Sequence, residues 1–220
     1  MGVASRRWRR ERGKRVICWS CQKAVGPEDI FCPVCRVLQP EQPGADLFSA
    51  LGLTRGYDID PEDLEARFRA RSRQLHPDRF ARASARERRL SLERTTRLND
   101  AYRTLKDVRR RAAYLLKLLG KDPVVEARTL HDPEFLEEQL ELREMLALAR
   151  EKSDQRTLAL IATGARDRLA AIDEEVARLF AEADPGEEAL LSIVSALARS
   201  RYFENVVAEA DPTAPPAQPR

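Results

Sequence analysis

Long hydrophobic runs are missing from this 220-residue chain. No apolar stretch approaches the ~20 residues that a helix needs to cross a bilayer. The basic opening "MGVASRRWRRERGKR" is followed by no apolar segment of the kind a secretory signal carries. The expected address is therefore the cytoplasm, with no membrane partner. Aromatic residues make up 6% of the chain and are not interleaved with the arginines, which counts against a stacking platform for single-stranded nucleic acid. With two histidines, no Gly-rich phosphate loop and no Cys-His pairing, a catalyst has little to be built from, and the chain reads as a non-enzyme. No segment alternates apolar and polar residues over a useful length, and no internal repeat stands out. The expected class is mainly α.

Charge is plentiful and unevenly spread. Residues 1–45 hold nine Lys/Arg against four Asp/Glu, and residues 46–120 hold eighteen against eleven. Residues 121–208 reverse the balance, with eleven against nineteen. A basic front and an acidic back predict two domains with different partners. Residues 1–17 read as a basic arm and 209–220, "EADPTAPPAQPR", as a tail, both expected to be disordered. Between them the pattern predicts a tetracysteine module over 18–39, a Pro/Gly-rich linker over 40–45, a helical domain over 46–120 and a three-helix bundle over 121–208.

All four cysteines lie in the module. Cys18-Trp-Ser-Cys21, ten residues, then Cys32-Pro-Val-Cys35 is the spacing of two knuckles that fold onto one ion. Two disulfides fit a cytoplasmic chain poorly, and a redox Cys-x-x-Cys needs a βαβ context that is absent. The expectation is a structural zinc ion held by Cys18, Cys21, Cys32 and Cys35, with iron in a rubredoxin-like site as the alternative.

In the helical domain, Asp60-Pro61-Glu62-Asp63 is a strong helix start, with a cap, a proline at the first position and acids in the first turn. Leu64, Phe68, Arg71 and Leu75 follow at helical spacing. His76-Pro77-Asp78 must interrupt the helix, because proline lacks an N–H and forces the preceding residue out of the α region. The three residues read as a short loop before a helix through 90–105, followed by another through 108–119. One reading makes His76 and Asp78 presented contact residues. The other makes the loop a satisfied cap with Asp78 as N-cap.

Context separates the two. His76-Pro77-Asp78 after a helix bearing Arg67, Arg69, Arg71 and Arg73, with "DLFSALGL" (46–53) before it and "LNDAYRTL" (98–105) after it, resembles the J domain of DnaJ-type co-chaperones. "RRAAYLLKLLG" (110–120), "DPEFLEEQLELREMLA" (132–147) and "RYFENV" (201–206) resemble HscB, the J-type co-chaperone of iron–sulfur cluster assembly. Some members of that family also carry a tetracysteine module like "CWSC…FCPVCRVLQP". The resemblance implies docking on a DnaK/HscA-type ATPase chaperone through His76, Pro77, Asp78, Arg67, Arg71 and Arg79, a basic face steering toward an acidic groove.

It also implies a platform for an IscU-like iron–sulfur scaffold protein in the acidic half. In the helix from Pro133, Phe135, Leu142, Leu146 and Ala149 share a core-facing stripe. Leu136 and Leu140 form a second apolar pair turned ~100–140° away, framed by Glu137, Glu141 and Glu144. The resemblance assigns Leu136, Leu140, Glu141, Glu144 and an aromatic from the last helix, Phe203, to the scaffold. Glu137 stands where the family often has an apolar residue, and Leu148 where an acid is common. A competing reading from another class is a zinc-ribbon nucleic-acid-binding protein that uses the arginine-rich arm at 5–15. His131, beside Asp132-Pro133, reads as a helix-entry residue.

Overall fold

The structure, a computed structural model, describes residues 16–127, 132–182 and 185–211. Residues 1–15 of the basic arm, His131 and residues 212–220 of the tail lie outside them. The chain divides into two compact units, residues 1–111 and 112–220.

The first unit opens with a small antiparallel hairpin, β1 (Val16–Ile17) and β2 (Ala24–Val25), in which Val16 lies opposite Val25. Two residues per strand are too few to show alternation, which is why the hairpin is invisible in the sequence pattern. Its core is tiny: Cys18, Val25 and Cys32 are fully buried, with Val16, Cys21, Cys35 and Val37 packed around them. The two Cys-x-x-Cys segments turn in the same way. Cys18 N–H donates to Lys23 O at 2.8 Å and Cys32 N–H to Val37 O at 3.0 Å, while Gln22 and Arg36 take left-handed backbone conformations at φ 60° and 63°. The module thus contains a local structural repeat that residue identities hide.

Three helices follow. α1 (Leu47–Leu51) is capped by Asp46, whose buried carboxylate accepts Ser49 N–H and pairs with Arg55. α2 (Pro61–Leu75) starts as the sequence predicts, with the Asp60 side chain accepting Glu62 N–H at 2.9 Å and Pro61 at the first position. α3 (Ala85–Lys106) begins five residues earlier than the apolar pattern alone indicates. Ser84 and Glu87 explain this: the Ser84 hydroxyl accepts Glu87 N–H at 3.2 Å, and the Glu87 carboxylate accepts Ser84 N–H at 3.3 Å. Helices α2 and α3 join through buried Leu64, Leu75, Leu90, Leu98 and Leu105, each of which stabilises by roughly 1.5–3 kcal/mol when fully buried. Phe68 also stacks on Tyr102 with ring centroids 4.1 Å apart, and the Tyr102 hydroxyl donates to Glu65 at 2.8 Å.

α4 (Val108–Leu118) carries the chain across residue 111, and α5 (Pro123–Ala127) lies against the last helix. In the second unit α6 (Pro133–Glu151), α7 (Gln155–Ala181) and α8 (Glu187–Ala210) are the three expected helices. Asp132 and Asp154 cap α6 and α7 by accepting the N–H groups of Phe135 and Thr157. On α7 the buried Ile161, Ala165, Leu169, Ile172, Val176 and Phe180 repeat at intervals of three and four, a continuous stripe that packs on α8. α6 is held more thinly: of its predicted stripe, Leu146 and Ala149 are buried and Phe135 and Leu142 half-buried.

Candidate functional site

The four cysteine sulfurs lie within 4.8 Å of one another. Cys18 and Cys35 are 3.7 Å apart and Cys21 and Cys32 3.6 Å, far longer than the ~2.0 Å of a disulfide, and all four cysteines are free. A regular tetrahedron with metal–sulfur bonds of ~2.3 Å has edges of ~3.8 Å, so the donor set already has the dimensions of a tetrathiolate site. Cys18 Sγ also accepts N–H groups from Ser20, Cys21 and the Gln39 side chain at 3.4, 3.5 and 3.4 Å.

The thiols share charge unequally. Burial works against ionising Cys18, but the Cys21 and Ser20 amides and the neighbouring Cys35 and Cys21 thiols outweigh it and bring its pKa down to about 6. The Cys35 amide holds Cys32 below the ordinary thiol range against the pull of burial. The Lys23 amide pulls Cys21 down, yet burial and three sulfur neighbours push it up to about 12. Four thiolates this close would need a cation among them, and the four sulfurs are grouped as a set that could hold one metal ion. Zinc and iron(II) both accept this geometry, and with four sulfurs on the ion no position is left open for substrate.

The second candidate is at the end of α2. His76-Pro77-Asp78 enters a single 3-10 turn, Pro77–Phe80, rather than an open loop. His76 Nδ1 accepts Asp78 N–H at 3.3 Å. The Asp78 side chain is 92% exposed and that of His76 55% exposed. Asp78 is therefore not the N-cap of α3; Ser84 is. Beneath the turn, the hydroxyls of Ser91 and Thr95 both donate to Leu75 O, at 2.7 and 3.1 Å. An exposed tip stands on a fixed base.

The three arginines associated with the motif are placed differently from one another. Arg67 pairs with Asp63 at 2.7 Å and donates to Gly52 O at 2.7 Å. Arg71 donates to Ala50 O at 3.2 Å, and its guanidinium fills the space that a Cβ at Gly52 would need. Both stitch α2 to the end of α1, so part of each guanidinium is already engaged. Arg79, on the turn itself, is exposed.

On α6 the second apolar face is where the helical spacing puts it. Leu136 and Leu140 are 57% and 63% exposed, with Glu141 and Glu144 exposed beside them. Phe203 lies deeper than the leucine pair. It is 3% exposed, packed against Phe135 and Tyr202 with Arg168 over its ring, and it floors a groove of about 490 Å³ together with Leu142, Met145 and Leu160. One residue back, a turn of ~100° on α8 changes the outcome. Tyr202 is half-buried and its hydroxyl donates to Gln139 O at 3.0 Å, on the flank of α6 between the core stripe and Leu136. Tyr202 thus reaches the α6 backbone at Gln139, next to Leu140 in the sequence, and the sequence motif "RYF" does not say which of the two rings lies deeper.

Residues 131–211 match the family model of the HSCB C-terminal oligomerisation domain. The chain is 34% identical over 192 residues to the human iron-sulfur cluster co-chaperone protein HscB, covering 86% of this chain and 78% of that one. It is 33% identical over 193 residues to the HscB homolog of Arabidopsis thaliana, covering 87% and 72%. The crystal structure of human HscB superposes with a TM-score of 0.78 at 31% identity, over 89% of this chain and 96% of that one. Sequence, fold and the His-Pro-Asp turn agree, and the chain belongs to the HscB family of J-type co-chaperones of iron–sulfur cluster assembly, with a four-cysteine cluster preceding its J domain.

Proposed function

We propose that this chain stimulates the ATPase of a DnaK/HscA-type chaperone through the His-Pro-Asp turn and delivers to it an IscU-like iron–sulfur scaffold carried on α6. The observation that supports this most is the pairing of two exposed features on separate units: the His76/Asp78 tip on one and the Leu136/Leu140 pair on the other. The chaperone contact is formed by His76, Pro77, Asp78 and Arg79, with Arg67 and Arg71 supporting it by fixing α2 on α1. The scaffold contact is formed by Leu136, Leu140 and Tyr202, with Glu141 and Glu144 at its rim and Phe203 beneath. The four cysteines hold a structural zinc ion. The chain performs no chemistry of its own, and the cytoplasm is the proposed compartment; no described helix is long and apolar enough to cross a membrane.

Leu136→Ser with Leu140→Ser tests the cargo half. Because both leucines are exposed, the double change should alter folding stability by less than about 1 kcal/mol, whereas two core leucines would cost roughly 2–5 kcal/mol each. Scaffold affinity should fall by about 100-fold or more, since a few apolar anchors carry most of an interface's energy. Basal stimulation of the chaperone should survive, because that contact lies on the other unit. A denaturant melt and a scaffold-binding titration check both. A large stability loss with unchanged binding per folded molecule would place this face in the core and the cargo site elsewhere.

A further inference from the structure

We propose that Gln39 and Arg94 form a brace that makes the geometry of the His-Pro-Asp turn depend on metal in the four-cysteine cluster. The proposal rests on reading that cluster as a metal site. Gln39 is 1% exposed, an unusual position for an amide side chain, and its hydrogen bonds account for it. Its Nε2 group donates to Cys18 Sγ at 3.4 Å and to Val37 O at 3.0 Å, and its backbone N–H donates to Ile30 O at 2.9 Å. One residue therefore ties the first knuckle to the second. Its carbonyl faces the other way and accepts Arg94 Nη1 from α3 at 2.9 Å.

A second strut runs parallel. Trp19 Nε1–H donates to Leu38 O at 2.8 Å, and the Arg86 guanidinium sits 4.4 Å from the Trp19 ring centroid. On α3, Arg94 adjoins Thr95 and lies three residues beyond Ser91. Those two hydroxyls hold the Leu75 carbonyl, the residue immediately before His76. A continuous set of contacts thus leads from Cys18 through Gln39, Arg94 and one turn of α3 to the base of the turn. Arginines in a J-type basic region would otherwise be assigned to steering a partner; Arg94 bonds to the module and the exposed Arg86 lies over its Trp19 ring instead.

The element with two states is the module. Its own core is three buried side chains and their fringe, too little to fold a segment of this size without metal. When the metal leaves, the Gln39 carbonyl is no longer held in place. Arg94 then loses its acceptor, and the half of α3 that grips Leu75 is released on that side. Metal content becomes a condition for the presented geometry of His76 and Asp78.

Hydrogen exchange on the full chain, with metal content measured in parallel, tests this. In metal-loaded wild type, amides from Ser72 to Arg79 and from Arg88 to Thr95 should be protected. Stripping with a chelator should speed their exchange about tenfold, the scale of one lost hydrogen bond to a charged group, while α7 and α8 stay unchanged. Gln39→Ala keeps all four thiols and should show the fast pattern even when loaded, with little added by stripping. Arg94→Met removes the bond to the Gln39 carbonyl but leaves the thiols and the Gln39 side chain in place, and should behave alike; if Gln39→Ala fails to retain metal, Arg94→Met decides by the same criterion. Equal protection in loaded and stripped wild type, or a wild-type response in the variants, overturns the brace alone. A wild-type chain that holds no divalent metal overturns the metal reading and the brace together.

Discussion

His76→Gln should abolish stimulation of the partner chaperone's ATPase while leaving the fold intact. The His76 side chain is 55% exposed, so its replacement opens no cavity, and exposed turn residues usually change stability by less than about 0.5 kcal/mol. The base of the turn does not depend on it, because Ser91 and Thr95 hold Leu75 from α3. What the imidazole does locally is accept Asp78 N–H at 3.3 Å, which aims the Asp78 carboxylate outward. Glutamine is too long and too flexible to keep that short contact in one rotamer. A central interface anchor of this kind is typically worth about 2–4 kcal/mol, so the apparent affinity for the chaperone should drop by roughly 30- to 1000-fold. Steady-state ATP hydrolysis across a concentration series, beside a thermal melt, reads both quantities. A variant that melts early would make the turn a cap before anything else; one that stimulates normally would remove the J-type function from this segment.

Cys18→Ser should release the metal and unfold the module over residues 16–39, with α7 and α8 unaffected. Cys18 is fully buried and receives three N–H donors, and no other residue in the module could take its place in the donor set. Structural zinc contributes on the order of 10–16 kcal/mol in comparable peptides, far more than the small cluster around Val25 can supply. Elemental analysis of wild type should find one zinc per chain and none in the variant, and limited proteolysis should begin to cut within 16–39. Iron with a rubredoxin-like colour, or clearly substoichiometric metal in wild type, would sink the zinc assignment. A variant that keeps both metal and protease resistance would show that the ion is not held by four thiolates.

Much of this was legible in the sequence where one local rule decides. Asp60-Pro61 announces α2, the cysteine spacing announces two knuckles, and the Leu136/Leu140 offset from the α6 stripe announces an exposed pair. The Ser84-x-x-Glu87 box also spells out the true start of α3, although the apolar period begins only at Leu90. What could not be read depends on tertiary neighbours. Arg67 and Arg71 look like surface charge until α1 brings the Ala50 and Gly52 carbonyls to them. Phe203 and Tyr202 are adjacent aromatics on one helix, and only the position of α6 decides which ring is interior. Two-residue strands carry no periodic signal at all.

The brace also has a consequence for the order in which the chain folds. The Ser91 and Thr95 bonds to Leu75 join residues 16 and 20 apart, whereas Arg94–Gln39 and Arg97–Ala45 join residues 55 and 52 apart. Short loops close at lower entropic cost than long ones, and chains rich in local contacts fold faster. The α2–α3 hairpin should therefore form early and without metal, and the cysteine module should dock on it afterwards. In a refolding experiment without metal on a Trp8→Phe background, helical signal should return in a fast phase while Trp19 fluorescence stays in its unfolded state. Metal added later should then produce a separate change at Trp19, at a rate set by ion capture rather than by helix formation.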